Sequence, residues 1–104
     1  MVTYIKKDII ERTAEKTGLE FKEASRAVNA VFMSLRDLMV SSEEECRVEI
    51  RHFGVFEVKK TAAKPKARNP KRPDQVIYIP PRRKTHFKPG KMLKGILRQP
   101  LKDK

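Results

Sequence analysis

The sequence predicts an α+β fold: a helical hairpin, then a small antiparallel sheet that extends into a long β-ribbon arm, then a short C-terminal helix. Apolar residues recur at helical spacing early in the chain and alternate at strand spacing later, and a cationic, proline-containing stretch interrupts the strands. With 104 residues the chain is long enough for one domain and not for two. We assign the hairpin to residues 1–45, the sheet to 46–60 and 76–81, the arm to 59–77 and the last helix to 88–99.

The hairpin is predicted from two amphipathic stretches separated by Gly18. The first, residues 5–16, repeats isoleucine at helical spacing, and Thr3 is the nearest capping candidate. Gly18 suits the position just past a helix end, where a left-handed backbone is common. The second stretch begins at Glu20 and ends at the acidic turn Ser41–Glu45. Its apolar stripe consists of Ala24, Ala27, Val28, Val31, Phe32, Leu35, Leu38 and Met39.

The strands are predicted from alternation of apolar and polar residues. Val48 and Ile50 alternate with charged residues, which is typical of a half-buried strand. The alternation changes phase around Gly54, and a strand of period two cannot do this without a bend or bulge. We therefore expect a tight turn or bulge at His52–Gly54, a second strand after it, and a further strand at Val76–Ile79.

The arm is predicted from residues 61–75, which contain no large apolar side chain and three prolines, Pro65, Pro70 and Pro73. Strands on both sides of this stretch predict a long antiparallel ribbon, and Pro65 belongs at an unpaired position or a kink. A two-stranded ribbon alone is marginal in water, so we expect the arm to be mobile in the free protein. The final helix is expected to open at Pro89, with an apolar face of Met92, Leu93, Ile96 and Leu97.

The predicted core is thin for a chain of this size. A single helical stripe and a small sheet bury little surface when about a third of the chain lies in an unpacked arm. We therefore expect an intertwined homodimer with a shared core, in which the isolated monomer is not a stable folded species.

The charge distribution indicates a polyanionic partner. Lys and Arg number 25 against 13 Asp and Glu, for a net charge of +12. Residues 1–58 carry a net charge of −2, whereas residues 59–81 carry +6 and residues 82–104 carry +8. Such an excess favours nucleic acid or an anionic membrane surface. No basic amphipathic helix with large apolar residues supports membrane binding, so we expect no membrane partner.

The sequence contains no pattern that is typical of a catalytic or metal site. We find no nucleophile–base arrangement, carboxylate pair or phosphate-binding glycine loop, and His52 and His86 do not have metal-ligand spacing. We therefore expect no enzymatic activity, no cofactor and no small-molecule substrate. The single cysteine, Cys46, excludes an intramolecular disulfide and, without an apolar signal stretch, indicates a cytoplasmic protein.

Several motifs occur in the order found in one family. They are Ala14–Leu19 (AEKTGL), Phe53–Val58 (FGVFEV), Arg68–Pro70 (RNP), Ile79–Pro80 (IP) and Phe87–Lys94 (FKPGKMLK). Over about residues 4–98 the chain resembles the HU/IHF family of bacterial histone-like DNA-binding proteins. The resemblance implies a homodimer, or a heterodimer with a paralogue, whose two arms lie in the minor groove of double-stranded DNA while a proline near each tip kinks it.

The resemblance assigns roles to individual residues. It implies that Pro70 is the intercalating wedge, that Arg68 and Asn69 lie beside it in the groove, and that Lys6 and Lys91 contact phosphates. The arm cations suit the negative potential of the minor groove, whereas the cations after the last strand either contact phosphates or only raise the general field. The remaining DNA-binding candidates are Lys59, Lys64, Lys66, Lys71, Arg72, Arg82, Arg83 and Lys84.

The tip departs from the family pattern. The family usually has Asn-Pro-x-Thr-Gly-Glu, whereas this chain reads Asn69-Pro70-Lys71-Arg72-Pro73-Asp74. Glycine can adopt a positive φ and proline cannot, so we expect a different turn type and leave the register near the tip open. Either proline could meet the bases, and we favour Pro70. His52 also stands where the family usually has glycine.

These observations predict largely sequence-nonspecific binding and bending of double-stranded DNA, in the service of nucleoid compaction and architecture. A sequence-specific bender of the IHF type is the main alternative, because indirect readout leaves no motif. An RNA-binding, ribosome-associated protein is a weaker alternative. The basic half has only two aromatic residues for base stacking, Tyr78 and Phe87, and the sequence places both in apolar surroundings.

Overall fold

The computed structural model describes residues 1–41 and 43–102. Its elements in chain order are α1 (Lys6–Thr17), α2 (Phe21–Ser41), β1 (Cys46–Ile50), β2 (Gly54–Lys60), β3 (Lys64–Asn69), β4 (Arg72–Ile79), β5 (Arg83–Pro89) and α3 (Lys91–Leu97). The chain divides into two compact units, Met1–Val40 and Ser41–Lys104. This order of elements confirms the predicted α+β class.

In the first unit, α1 and α2 form the predicted helical hairpin. The backbone N–H of Ile5 donates to Asp8 Oδ2 at 2.7 Å, so an acidic side chain inside the first turn stabilises the start of α1 and Thr3 is not the cap. Gly18 ends α1 with φ of 74°, as predicted. Among the described residues, no helix is long and apolar enough to cross a membrane.

The core of the first unit is small. Ile10, Ala24 and Val28 are buried, and Ala14 packs against them. The stripe of α2 continues beyond Val28, and there Val31, Phe32 and Leu38 are exposed in the single chain. Leu35 and Met39 are half-buried. The helical periodicity was therefore predicted correctly, while most of the stripe's surface is not covered within the chain.

The second unit contains a three-stranded antiparallel sheet of order β1-β2-β5. The strands β1 and β2 are joined by a turn at residues 51–53, in which His52 has a positive φ of 67°. The third strand of this sheet is β5, whereas the sequence analysis assigned residues 76–81 to the sheet. Val76–Ile79 lies instead in β4, which pairs with β3 in a separate two-stranded ribbon.

A cluster of phenylalanines packs at one end of the sheet. The ring centroids of Phe56 and Phe87 lie 4.9 Å apart, and those of Phe53 and Phe87 lie 5.3 Å apart. The cluster requires glycine at position 54, because a methyl group there would lie 2.5 Å from the Lys88 carbonyl oxygen and 2.7 Å from the Phe87 ring. Close approach of two strands and an aromatic ring therefore explains Gly54.

The C-terminal helix is shorter than predicted. Pro89 is the last residue of β5, Gly90 precedes the helix, and α3 covers only Lys91–Leu97. The backbone N–H of Gly90 donates to the Phe53 carbonyl at 2.8 Å, which ties the start of α3 to the turn between β1 and β2.

Candidate nucleic-acid interface

One face of the three-stranded sheet carries mostly charged side chains. Side chains alternate between the faces of a strand, and the register pairs Arg47 with Glu57 and Glu57 with His86. These three residues therefore share one face, whereas Phe56 and Phe87 lie on the other. The full set on the polar face is Arg47, Glu49, Val55, Glu57, Lys59, Lys84, His86 and Lys88.

Glu57 organises the cations of this polar face. It is only 6% exposed, with Lys88 Nζ 2.9 Å from its Oε1 and with Lys59 Nζ and Arg47 Nε 3.9 and 4.0 Å from its Oε2. The Lys88 contact is short and joins opposite charges. Hydrogen bonding from Lys88, followed by the charges of all three cations, lowers the pKa of Glu57 against the opposing effect of burial. Glu57 is therefore ionised at neutral pH.

Where the sheet meets the arm, two cross-strand pairs each place two positively charged residues opposite one another. The strand β2 ends in Lys59 and Lys60, and their cross-strand partners in β5 are Lys84 and Arg83. Like charges directly opposite each other destabilise an antiparallel pair. Lys60 is partly offset by Glu44, whose Oε1 lies 3.3 Å from its Nζ, and Lys59 by Glu57, whose Oε2 lies 3.9 Å from its Nζ. The pairing nevertheless concentrates four cationic side chains at the end of the sheet from which the arm extends.

Beyond these pairs, Thr61 and Arg82 fix the base of the arm. The Thr61 backbone N–H and side-chain hydroxyl both donate to the Arg82 carbonyl, at 2.7 and 3.1 Å. The Arg82 backbone N–H in turn donates to the Thr61 hydroxyl at 3.0 Å. These three hydrogen bonds join the outgoing and returning segments of the arm just outside the sheet. Neither Thr61 nor Arg82 belongs to a strand.

The arm presents its cations to solvent. Lys64, Lys66 and Arg68 follow one another at alternate positions of β3, while Lys71 lies in the tip turn and Arg72 begins β4. All five are exposed. The single acid in residues 59–84 is Asp74, against ten lysines and arginines. The arm is therefore a strip of positive charge whose own acids cannot neutralise it.

The tip turn consists of Pro70 and Lys71. Asn69 pairs with Arg72 across the turn, and the Lys71 backbone N–H donates to Asn69 Oδ1 at 3.0 Å. This side-chain contact is an Asx turn, which fits the prediction that a tip without glycine needs another kind of turn. Pro70 is exposed at the end of the ribbon.

Pro73 occupies a different position from Pro70. The register passes from Arg68 opposite Val76 to Asn69 opposite Arg72, so Pro73, Asp74 and Gln75 form an irregularity in β4 with no partner residues in β3. Proline is suited to such a position because it has no N–H to donate to the ladder. A second register shift falls between residues 64 and 67, next to Pro65.

Two predicted phosphate contacts lie away from the arm. Lys91 is the first residue of α3, directly after Gly90, at the end of the sheet opposite the arm base. That end is about 20 Å from Lys60 along β2. Lys6 is the first residue of α1 and belongs to the first unit. The candidates of the arm and its base therefore lie close together in the second unit. Lys91 belongs to the same unit but lies at the far end of the sheet, and Lys6 belongs to the other unit.

Several residues of this region were not predicted. Thr61 was missed because a lone threonine gives no signal of a contact between distant segments, and Arg47 and Lys88 were missed because only the sheet register brings them to Glu57. Tyr78 was predicted to lie in apolar surroundings, and this was wrong, because Tyr78 is 61% exposed. The run Val76–Ile79 consists of apolar and aromatic residues only, so nothing in the sequence indicated that one face of β4 is exposed.

The sequence matches known bacterial proteins over most of its length. A family profile described as "Bacterial DNA-binding protein" matches residues 4–98. The chain is 42% identical to "DNA-binding protein HU-1" of Halalkalibacterium halodurans over 89 residues, covering 86% of this chain and 93% of that protein. It is 40% identical to "DNA-binding protein HU" of Staphylococcus aureus over 93 residues, covering 89% and 98%.

The fold is similar to that of a solved protein–DNA complex. The structure described as "Anabaena HU-DNA cocrystal structure (AHU2)" superposes with a TM-score of 0.79 and 26% sequence identity, covering 93% of this chain and 100% of that chain. The profile match extends from before the first helix to the end of the last. The chain therefore belongs to the HU/IHF family of bacterial DNA-binding proteins.

Proposed function

We propose that the protein binds double-stranded DNA with little sequence preference and bends it, as an architectural protein of the bacterial nucleoid. The observation that carries this proposal is the two cross-strand pairs of like charges at the arm base, Lys59 with Lys84 and Lys60 with Arg83. The basic ribbon continues directly from them. Phosphates lying along this path would replace the repulsion with attraction and release counterions, which is the main source of nonspecific affinity for DNA.

The arm is proposed to lie in the minor groove. Its exposed cations gain from the strongly negative potential of a narrow groove. The groove presents a degenerate pattern of acceptors, so side chains such as Arg68 and Asn69 distinguish A·T from G·C at best. This supports binding with little sequence preference.

Pro70 is proposed to be the wedge that bends the duplex. It is rigid, lacks an N–H and is exposed at the tip, where its ring can enter a base step. Unstacking costs a few kcal/mol, which the added backbone contacts of bent DNA offset. Pro73 lies in the unpaired stretch of β4 and is proposed to shape the arm.

The active form is proposed to be a homodimer. In the first unit, Val31 and Leu38 are 64% and 59% exposed, although they continue the core stripe of α2. In the second unit, Ile50, Phe53, Met92 and Ile96 line an open groove of about 1010 Å³. Apolar surface of this extent is rare on a monomer, and a second copy of the chain would cover it.

The test combines affinity and bending. Fluorescence anisotropy across a salt series should give the tightest binding for nicked or bent duplex, weaker binding for plain duplex, and the weakest for duplex RNA and single strands. If the dimer contacts about 8–10 phosphates, log K should fall with log[salt] at a slope of roughly −7 to −9. Binding to RNA as tight as to DNA would contradict the proposal.

The wedge is tested by energy transfer between dyes at the duplex ends. Pro70→Ala should reduce bending more than it reduces affinity, because the phosphate contacts remain. Pro73→Ala is the matched control and should leave bending close to that of the wild type. Normal bending by Pro70→Ala, together with lost bending by Pro73→Ala, would show that the other proline is the wedge.

A further inference from the structure

The arm carries an exposed apolar strip on one face of β4. Val76 and Tyr78 are 64% and 61% exposed and, two residues apart in β4, they lie on the same face of the ribbon. Ile77, on the other face, is 36% exposed, and Ile79 is half-buried. The two faces of β4 therefore differ, and the Val76/Tyr78 strip is the more open one.

The strip is flanked by positive charge. Arg68 is the cross-strand partner of Val76 and shares its face, and the other cations of β3 and the tip surround it in a ribbon with one acid. A surface that combines apolar side chains with arginine fits a partner that is anionic overall and also offers apolar edges. The minor groove of B-DNA is such a surface, because its walls are deoxyribose rings between phosphates and it is about 6 Å wide.

We infer that the Val76/Tyr78 strip packs against deoxyribose in the minor groove and makes the arm selective for DNA duplexes over RNA duplexes. The inference rests on the proposed function, since it names the groove surface that the arm contacts. In RNA the minor groove is wide and shallow and displays 2′-hydroxyl groups. Packing the valine side chain and the tyrosine ring against these hydroxyls would remove them from water, and neither apolar surface replaces the lost hydrogen bonds, which is unfavourable.

The experiment uses the full-length protein and two duplexes of the same sequence, one DNA and one RNA. The double variant Val76→Thr/Tyr78→Thr places threonine, a β-branched residue suited to a strand, at both positions and removes most of the apolar surface. It should lose roughly tenfold in DNA affinity and less than twofold in RNA affinity, with an unchanged salt slope because no charge is altered. Ile77→Thr, on the opposite face of the same strand, is the matched control and should lose less than twofold on both duplexes.

Tyrosine fluorescence gives a second readout that does not depend on affinity. The chain has two tyrosines and no tryptophan, so Tyr4→Phe leaves Tyr78 as the single tyrosine. Quenching of its emission by acrylamide, a neutral quencher, should fall when saturating DNA duplex is added. It should remain close to the free value with saturating RNA duplex.

The outcomes separate this inference from the proposed function. If the wild type binds DNA but the double variant loses equal affinity for both duplexes, or if Ile77→Thr loses as much as the double variant, the strip is not the selective surface and DNA binding stands. If the double variant instead changes the sedimentation of the free protein, the strip contacts a second copy and the inference is overturned. If the wild type does not bind DNA, the proposed function fails first.

Discussion

The three-stranded sheet and the arm are both basic, but they hold their charges in different ways. In the sheet, buried Glu57 lies within 4.0 Å of cationic atoms of Arg47, Lys59 and Lys88. In the arm, five lysines and arginines between residues 61 and 81 share one acid, Asp74. The sheet therefore neutralises much of its charge within the chain, whereas the arm depends on a partner to do so.

The two regions also differ in how their apolar side chains are packed. The apolar face of the sheet contains the cluster of Phe53, Phe56 and Phe87. The arm exposes its apolar side chains, with Val76 and Tyr78 more than half accessible. From this difference we expect the packed face of the sheet to determine mainly stability, and the arm together with its base to determine mainly binding. Mutations in the sheet should affect folding first, and mutations in the arm should affect binding first.

The largest effect should come from Gly54→Ala in the sheet. The added methyl group would lie 2.5 Å from the Lys88 carbonyl oxygen, so β2 and β5 must separate or the Phe87 ring must move. Overpacking of this kind should lower the free energy of unfolding by about 3 kcal/mol. Chemical denaturation at fixed protein concentration measures this change.

Gly95→Ala is the control for that substitution. Gly95 lies inside α3, and apart from its chain neighbours and the backbone of its own helix no described atom lies within 4 Å of an added methyl group, so alanine there should stabilise the helix by up to about 1 kcal/mol. Equal stability of the two variants would contradict the close packing of β2 on β5.

The second-largest effect should come from neutralising the arm. The triple variant Lys64→Gln/Lys66→Gln/Arg68→Gln should reduce DNA affinity roughly 100-fold at low salt, and flatten the salt slope by about 2.7 for each bound arm. Because these side chains are exposed, its unfolding should match that of the wild type. Anisotropy titrations and denaturation curves measure the two properties on the same samples.

A matched triple variant in the first unit, Lys16→Gln/Lys22→Gln/Arg26→Gln, removes the same charge from exposed helical positions. It should retain most of the affinity. If both triple variants lost affinity equally, net charge rather than the arm would account for binding.

The division between the two regions was only partly predictable from the sequence. The hairpin, the turn near Gly54 and the arm follow from periodicity and from glycine and proline positions, and the structure confirms them. The third strand of the sheet was missed because β5, Arg83–Pro89, contains one large apolar residue, Phe87, and so shows no period-two pattern. Apolar Val76–Ile79 took its place in the prediction, although β4 pairs within the arm.

The parts of the candidate site that consist of consecutive residues could be predicted from the sequence. The charged stretch, the Asn69-Pro70 tip and the need for an unusual turn are visible in a few consecutive residues. The like-charged pairs at the arm base, the Thr61–Arg82 contacts and the cations around Glu57 depend on register between distant strands. Periodicity assigns a residue to one face of a strand but does not say which residue of another strand lies opposite it, so these contacts could not be predicted.

A smaller effect should come from Glu57→Gln, which tests how the sheet holds its charge. The pKa of Glu57 is lowered in the folded protein from an ordinary value near 4.5. A carboxyl with a lowered pKa stabilises the fold above the unfolded value, and the stabilisation is lost as pH falls through the folded value. The variant should therefore melt at a lower temperature than the wild type at neutral pH, and the difference should shrink as pH falls below about 4.5.

Glu49→Gln is the matched control for Glu57, since Glu49 is exposed and pairs with Arg47 at 3.2 Å. An exposed ion pair contributes about 0–1 kcal/mol, so its loss should change the melting temperature little.

The Glu57→Gln variant should also bind DNA more strongly at low salt, because Lys59 and Lys88 are released from the carboxylate. Weaker binding by Glu57→Gln would indicate that the carboxylate positions these cations for phosphates.

The smallest effect should come from His52→Gly in the turn of the sheet. His52 has φ of 67°, a left-handed conformation that costs a residue with a side chain about 1–2 kcal/mol. Glycine removes this cost but gives up more conformational freedom on folding, by about 0.5–1 kcal/mol. The net gain in unfolding free energy should be about 0.5–1 kcal/mol, measurable by chemical denaturation.

Gly18→Ala is the opposite change at a second left-handed position, since Gly18 has φ of 74° and free space around it. It should destabilise the helical hairpin by a similar amount. Both variants should bind DNA with the wild-type salt slope, because neither position belongs to the arm. A changed slope in His52→Gly would mean that the turn, some 20 Å from the arm base along β2, contributes to DNA contact.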